Sequence, residues 1–247
     1  MTTSHNISVT PSDIAFSANS SMKIPIMVTA FLHYNSKISD ELDAEITKMI
    51  NLSQLEASDA VMAAIDKIRG PLVVTETMKK LGLDNTFIAM FYAAGSVPLD
   101  RITTVANSRV DINTDPDDFN QSTPSEMGML LEDVYQCSQN GGGSLVAAFP
   151  GQIDQAACQR MIQYLEKDKL GALIQGGVPE GTIVAHKHGW DNFENQFSDV
   201  AIVYTPGGNF ILTIYSSNPV QFQWDITSRM YAEISRAIYN YFNLPSQ

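Results

Sequence analysis

Two polar segments, far apart in the chain, carry residue types that acyl-transfer chemistry needs. Ser20 stands three residues before Lys23 at the start of an apolar segment, a spacing that places both side chains on one helix face. A serine hydroxyl is a weak nucleophile that needs a neighbouring base. A lysine desolvated in a buried helix has a lowered pKa and can be that base. The pair therefore predicts a nucleophile, Ser20, at a helix N-terminus that would help hold an oxyanion.

The second segment is Lys187-His188-Gly189, at the end of a strand-like stretch. Lys187 can bind a substrate carboxylate as a point charge, and Gly189 would let a substrate backbone approach the strand. Each segment also has a simpler interpretation. Ser20 can be an N-cap with Lys23 exposed in the first turn, and Lys187 can be an exposed lysine before a turn. Ser-x-x-Lys alone is weak evidence, because a serine-rich chain contains it by chance.

The positions of apolar residues predict which elements hold these segments. The predicted helices cover residues 20–34, 40–50, 58–68, 73–81, 124–137, 153–165 and 225–242. Asp40 is the expected N-cap of the second helix, and Gly70-Pro71 and Gly82 are expected stops. The predicted strands cover 7–16, 182–187, 199–204 and 209–216, the last two joined as a hairpin. The expected core stripe of the last helix is Ile226, Met230, Ile234, Ile238 and Tyr241.

These elements predict a mixed α/β (α+β) class, in which an antiparallel sheet covered by the C-terminal helix adjoins an all-helical region. Four segments strengthen this prediction, because they occur in the order of one superfamily. They are residues 16–26, 122–127, 177–187 and 198–203. Over nearly its whole length the chain resembles the penicillin-recognising serine hydrolases, in their class A β-lactamase-like branch, whose motifs are Ser-x-x-Lys, Ser-Asp-Asn and Lys-Thr-Gly.

The resemblance implies a β-lactamase/transpeptidase-like fold and one catalytic domain, residues 1–247. Its sheet subdomain would comprise residues 1–19 and 176–247, and its helical subdomain residues 20–175. It also implies the roles of the site residues. Ser20 would be the nucleophile, Lys23 its base and Ser53 the proton relay. Lys187, with His188 and Gly189 beside it, would anchor a substrate carboxylate.

The chain departs from the family pattern at three places. Ser53-Gln54-Leu55 keeps the serine of Ser-Asp-Asn, but Leu55 cannot make the amide contact of the family asparagine. His188 replaces a small hydroxyl residue by a bulkier ring that can donate a proton. Residues 101–121, which resemble the omega loop, contain no glutamate to activate a deacylating water, and Asp111 or Asp115 are its candidate substitutes.

The acidic run in that loop has a second interpretation. Asp111, Asn113, Asp115 and Asp117 alternate as calcium ligands do, but the glycine and closing glutamate of a calcium loop are missing. We therefore favour a solvated loop whose carboxylates cap local backbone, and expect no metal and no cofactor.

Composition limits partners and compartment. The 247-residue chain has a net charge of -12, so its surface repels phosphate backbones and a nucleic-acid role is excluded. No apolar run is long enough for a membrane span, and no signal peptide opens the sequence. Cys137 and Cys158 are either two buried thiols or a disulfide between packed helices. We expect an extracytoplasmic protein if a natural precursor carries an upstream signal.

The region before the nucleophile is short. Only 19 residues precede Ser20, whereas family members have a helix and two strands there. The predicted strand 209–216 would then lack a neighbour, which predicts a homodimer through the sheet edge or a missing upstream region.

Three functions fit the sequence, and the expected substrate is a small molecule or peptide with a carboxylate. The first is a penicillin-binding peptidase or esterase that acylates well and deacylates slowly. The second is a β-lactamase with a rearranged water activator. The third is a catalytically decayed binding domain.

Overall fold

The computed structural model describes residues 12–190 and 195–244, which form a helical region and a small antiparallel sheet. The helices are α1 Lys23–His33, α2 Asp40–Asn51, α3 Leu55–Ile65, α4 Gly70–Lys80, α5 Pro124–Asn140, α6 Ser144–Ala148, α7 Gln155–Leu165 and α8 Trp224–Phe242. The strands are β1 Phe16–Ser17, β2 Phe87–Ile88, β3 Asn120–Ser122, β4 Val184–Trp190, β5 Gln196–Val203 and β6 Phe210–Ser217. This mixed class, with α8 at the sheet, confirms the predicted architecture.

The main sheet has the order β4-β5-β6, and both pairs are antiparallel. Lys187 lies opposite Val200, and Val200 lies opposite Thr213. Every residue of β5 is buried, because the central strand is covered on both faces and bonded on both edges. The outer strand β4 carries the Lys187-His188-Gly189 segment, so that segment lies at one side of the sheet.

A second, smaller sheet closes the helical region. Its order is β1-β3-β2, and Phe16 of β1 lies opposite Ser122 of β3. The predicted strand 7–16 is described only from residue 12 onward, and its described part joins this small sheet. The strands β2 and β3 were missed by the sequence reading, because two or three residues are too few to show a periodicity.

The helix that holds the nucleophile segment is buried nearly all round. A 3₁₀ turn at Asn19–Met22 leads directly into α1, and every residue of α1 from Lys23 to Leu32 is buried. The predicted helix 20–34 is thus correct in position, although its first turn is 3₁₀. Burial on all sides is what its apolar composition predicts.

Several helix boundaries differ from the sequence-based predictions. The helix α3 covers Leu55–Ile65, three residues earlier than the predicted 58–68, and α5 ends at Asn140, three residues later than predicted. The N-cap of α2 is Ser39, whose hydroxyl accepts the N–H of Leu42, so the Asp40 prediction was wrong by one residue. Gly70 and Pro71 open α4 and do not stop the helix before it, because proline is favoured in the first helical turn. A β-carbon on Gly70 would lie 2.2 Å from the Met62 carbonyl oxygen, so only glycine fits where α3 and α4 meet.

The buried face of α8 is not the predicted one. The side of α8 that carries Thr227, Tyr231 and Ser235 faces the sheet and the 3₁₀ turn Gln175–Gly177, which precedes β4. The Tyr231 hydroxyl donates to the Phe197 carbonyl. The predicted core stripe is mostly exposed, with 63% exposure at Ile226 and 52% at Tyr241. The remaining members of that stripe are Met230 and Ile234, also exposed, and Ile238, which is partly buried. Periodicity identifies an apolar stripe but not the surface that it contacts.

Cys137 of α5 and Cys158 of α7 form a disulfide, with their Cα atoms 5.8 Å apart. The two helices pack against each other across the connection that begins at Gly141. Of the two interpretations left open by the sequence, the buried free thiols are therefore wrong. The described part of the chain contains no helix long and apolar enough to cross a membrane.

Candidate active site

Ser20 and Lys23 are in direct contact. Ser20 lies in the 3₁₀ turn and Lys23 is the first residue of α1, so the two are separated by one turn, and Lys23 Nζ is 2.6 Å from Ser20 Oγ. The Lys23 side chain has no exposed surface, whereas Ser20 is partly exposed. A hydroxyl that reaches solvent next to a buried amine is the arrangement that nucleophile activation requires.

The neighbouring serine is occupied by structural hydrogen bonds. Ser21 Oγ donates to the Ala18 carbonyl at 2.6 Å and lies 2.8 Å from the Tyr215 hydroxyl. Ser21 is also fully buried. The two adjacent serines therefore differ in both exposure and partners. Of the two, only Ser20 has a hydroxyl hydrogen-bonded to the Lys23 amine.

The electrostatic surroundings lower the pKa of Lys23 to about 7. Burial is the main cause, because it disfavours the charged amine, and the nearby cation Lys187 adds to it. Asp168 and Asp59 act in the opposite direction and raise this pKa. An amine with a pKa near neutrality can exist in its unprotonated, basic form at physiological pH.

Ser53 completes a chain of three polar groups. Ser53 lies in the short link between α2 and α3. Its Oγ is 3.3 Å from Lys23 Nζ. Its backbone has a φ of 54°, in the left-handed region that non-glycine residues rarely adopt. This backbone conformation, which costs free energy, holds the hydroxyl against the lysine.

The strand β4 meets the nucleophile at Gly189. A β-carbon there would lie 2.7 Å from the Ser20 nitrogen and 3.0 Å from Ser198 Oγ. Glycine is therefore required because the neighbouring atoms come so close. Its φ does not require glycine, because it is not in the left-handed region. The backbone N–H of Ser20 thus lies beside β4, where a polarised carbonyl of a substrate would need a donor.

Lys187 and His188 share one carboxylate partner, Asp168. Lys187 Nζ is 2.8 Å from Asp168 Oδ2, and His188 Nδ1 is 3.2 Å from the same oxygen. Burial lowers the pKa of Lys187 and of His188, and Asp168 opposes both shifts. Burial opposes ionisation of Asp168 too, yet its two basic neighbours hold its pKa well below the usual range.

A second buried ion pair begins one residue earlier on β4. His186 Nδ1 is 3.0 Å from Asp199 Oδ1, and the other carboxylate oxygen of Asp199 accepts the N–H of Ile174. Burial alone would lower the pKa of His186, but Asp199 outweighs it and the pKa is raised. Through these contacts Asp199 links β4 and β5 to Ile174, which lies ahead of β4 in the chain.

Sequence reasoning missed several groups around the site. Asp168 lies in the irregular connection after α7 and belongs to no motif, so no sequence signal pointed to it. Tyr92 and Asn120 both donate weak hydrogen bonds to the Asn19 carbonyl, next to Ser20. Asp59 accepts the N–H groups of Tyr92 and Ala93 and so holds that loop in place.

The acidic run is organised by local contacts. Asp111 pairs with Arg109, and the side chains of Asn113 and Asp117 accept N–H groups two residues further along the chain. The Asp115 carbonyl accepts a hydrogen bond from Gln196. Within residues 12–190 and 195–244, no group of three or more His, Cys, Asp or Glu is placed to hold a metal ion. Side-chain capping of the backbone accounts for the alternating pattern.

Residues 41–242 match the family described as the β-lactamase enzyme family, which is more than half of the sequence. The chain belongs to this family. The matched residues include Ser53 and Lys187 but begin after Ser20 and Lys23, so the match does not cover the candidate nucleophile and base. No curated protein matches the chain.

Solved structures share the fold of this β-lactamase family member. PBP-A, in a mutant acyl-enzyme complex with penicillin G, has 17% identity and a TM-score of 0.68, covering 95% of this chain and 84% of that one. A mutant of the last common ancestor of Gram-negative class A β-lactamases has 16% identity and a TM-score of 0.71, covering 95% and 88%. The β-lactamase from Sphaerobacter thermophilus DSM 20745 has 16% identity and a TM-score of 0.69, covering 96% and 88%. At these identities the likeness shows the fold alone.

Proposed function

We propose that the protein is a serine hydrolase or acyltransferase that forms an acyl-enzyme on Ser20. The observation that carries the proposal is the buried lysine amine of Lys23, 2.6 Å from Ser20 Oγ and 3.3 Å from Ser53 Oγ. Family membership supports a hydrolase scaffold. The contact between Ser20 and Lys23 adds the nucleophile and base that such a scaffold needs.

In the proposed reaction, the neutral Lys23 amine takes the proton of the Ser20 hydroxyl as Oγ attacks the substrate carbonyl. The N–H of Ser20, beside Gly189, stabilises the oxyanion. The bond to the leaving group then breaks. Ser53 gives its proton to the leaving group and receives the proton held by Lys23, so the amine is neutral again and the acyl group remains on Ser20.

Deacylation is proposed to be slow. It requires a base that activates water, and residues 101–121 contain no glutamate. Of the two candidate substitutes, Asp111 is paired with Arg109. Turnover of a chromogenic cephalosporin separates the two catalytic alternatives. A covalent adduct that persists for minutes supports the penicillin-binding type, and a kcat near the roughly 10 s⁻¹ median of enzymes supports a β-lactamase.

The opposing candidate, a decayed binding domain, predicts no covalent adduct. We would incubate the protein with a fluorescent penicillin and locate the label by mass spectrometry. Label on Ser20 that is lost in Ser20→Ala supports the proposal. Ser21→Ala is the matched control and should still be labelled at Ser20, since the Ser21 hydroxyl bonds Ala18 and Tyr215. Label on Ser21, or absence of any adduct with both this probe and its methyl ester, would reject it.

An extracytoplasmic location is proposed as well. Its support is the disulfide between Cys137 and Cys158, since disulfides persist in oxidising compartments. The role of Lys187 as an anchor for a substrate carboxylate stays a prediction. The pairing of its ammonium group with Asp168 counts against that role.

A further inference from the structure

Asp168 lies at the outer edge of β4. Its Oδ2 reaches both Lys187 Nζ, at 2.8 Å, and His188 Nδ1, at 3.2 Å. Successive residues of a strand point to opposite faces, so one oxygen can reach both only from the edge of the strand. In the described residues β4 pairs only with β5, so this edge has no strand partner there. Lys187 and Asp168 both act on the charge of Lys23, so the pair lies within electrostatic reach of the candidate nucleophile and base.

Lys187 is not a free cation. Its side chain has no exposed surface and that of Asp168 is 1% exposed, so both groups are desolvated and paired. A substrate carboxylate at Lys187 would be a second anion on one buried cation, because Asp168 already holds its Nζ. Two carboxylates at one buried cation repel each other strongly in such a poorly solvated place.

The other basic groups near Ser20 do not replace Lys187. The pKa of Lys23 is about 7, and its Nζ is engaged by Ser20. Burial lowers the pKa of His188, which keeps the ring neutral near pH 7. His186 is paired with Asp199 and is 1% exposed. Lys23 is thus only partly charged near pH 7 and held by Ser20, His188 is uncharged there, and His186 is paired with its own carboxylate.

We propose that Asp168 sets the substrate class of this site, so that the enzyme favours acyl donors that are uncharged where a penicillin carries its carboxylate. Neutral esters and amides are such donors. The inference rests on the proposed function in taking Ser20 as the nucleophile. It opposes the sequence-based expectation of a substrate with a carboxylate.

The test compares benzylpenicillin with its methyl ester, which differ only in the carboxylate. Acylation of the wild-type protein is followed by intact mass at pH 7.5, and non-covalent binding is measured with Ser20→Ala at the same pH. We expect the ester to be favoured at least tenfold by the wild type. In Asp168→Asn the preference should shift towards the acid by about 10- to 100-fold, the value of a hydrogen bond to a charged group.

Two matched variants separate this role from a structural one. Asp168→Glu keeps the charge and should keep the wild-type preference. Asp59→Asn removes another carboxylate that acts on Lys23 but does not contact Lys187, and it should leave the ratio of acid to ester unchanged.

The outcomes divide clearly. A wild-type preference for the acid, or an ester preference below tenfold, overturns the inference even if Asp168→Asn does not fold. An unchanged ratio in a folded Asp168→Asn also overturns it. If neither compound acylates Ser20 but Ser20→Ala binds the ester better, the inference stands and the proposed function fails. No binding of either compound up to its solubility limit overturns the inference.

Discussion

The two outer strands of the main sheet have opposite surroundings. The outer strand β4 carries Lys187 and His188 next to Asp168, and its Gly189 is in close contact with the turn that holds Ser20. The outer strand β6 contains no charged residue from Phe210 to Ser217. Beside it, α8 exposes an apolar stripe that includes Met230 and Ile234.

The difference shows how one sheet can use its two edges for different purposes. At β4, buried ion pairs and a close backbone contact fix the geometry of a candidate reaction site. At β6, backbone groups and apolar side chains are left without a strand partner among the described residues, which is the condition under which another strand can add. Changes at β4 should therefore alter chemistry, and changes at β6 should alter association.

The largest effect is expected for Lys23→Met. Loss of the base should lower the acylation rate by about 10²–10⁴-fold. The folded protein should become more stable at pH 7, because burial lowers the pKa of Lys23 to about 7 from the 10.5 of a freely exposed lysine. The wild type carries this cost below pH 7 and regains stability as the pH rises towards 10.5. Acylation kinetics and urea unfolding at pH 7 and 9 would measure both changes.

Lys79→Met is the matched control for that experiment, since Lys79 is exposed on α4. It should change neither the rate nor the stability. If Lys23→Met is acylated at the wild-type rate, Lys23 is not the base. The proposed reaction site beside β4 would then be wrong.

Lys187→Met tests the coupling between the two lysines. It leaves Asp168 buried without its cation, which should cost about 3–5 kcal/mol in the free energy of unfolding. It also removes a repelling charge and frees an attracting one, so the pKa of Lys23 should rise. The midpoint of the pH–acylation profile should then move above 7, and the rate at pH 7 should fall.

Adding Asp168→Asn to Lys187→Met removes both charges of the pair. Stability should return towards that of the wild type, and the midpoint should move back down. A midpoint that does not respond to either variant would mean that the pair does not influence Lys23.

Gly189→Ala tests the close approach of β4 to the nucleophile. Its β-carbon would come within 2.7 Å of the Ser20 nitrogen, so the turn must move. A displacement of about 1 Å at a reacting group can cost about 10²-fold in rate. Gly171→Ala is the control, because no atom lies within 4 Å of its added β-carbon. Equal rates for the two variants would contradict the proposed contact.

The smallest effect is expected at β6, where we propose that a second copy of the chain pairs with the sheet edge. Eight residues without charge or proline can pair antiparallel with their own copy, and the α8 stripes would lie nearby. Ile234→Glu should weaken such a dimer by about 10- to 100-fold, since it places a charge in an apolar contact. Light scattering over a concentration series would measure the change.

Ile68→Glu serves as the control for association, because Ile68 is 73% exposed in the link between α3 and α4. It should leave the dimer intact. A wild-type protein that stays monomeric at high concentration would contradict the pairing at β6.

The sequence predicted the main helices and strands because their apolar residues repeat over several turns or alternations. It also predicted that Ser20, Lys23 and Ser53 belong to one site, and the fold places both serines in contact with Lys23. Their catalytic roles stay predictions. It did not predict Asp168, since a single aspartate in an irregular connection has no recognisable spacing. The buried face of α8 was missed because its residues Thr227, Tyr231 and Ser235 are polar, and the hydroxyls of Tyr231 and Ser235 are buried through hydrogen bonds that hydrophobicity does not score.

The disulfide has a consequence for how the chain can be cut. Cys137 and Cys158 lie on either side of the connection that begins at Gly141, within a covalent ring. A protease that cleaves this connection would leave both fragments joined under oxidising conditions and would separate them only after reduction. New chain ends could be opened there, or a reporter peptide inserted, while α5 and α7 remain tethered. The connection is thus a natural position for circular permutation of this enzyme family member.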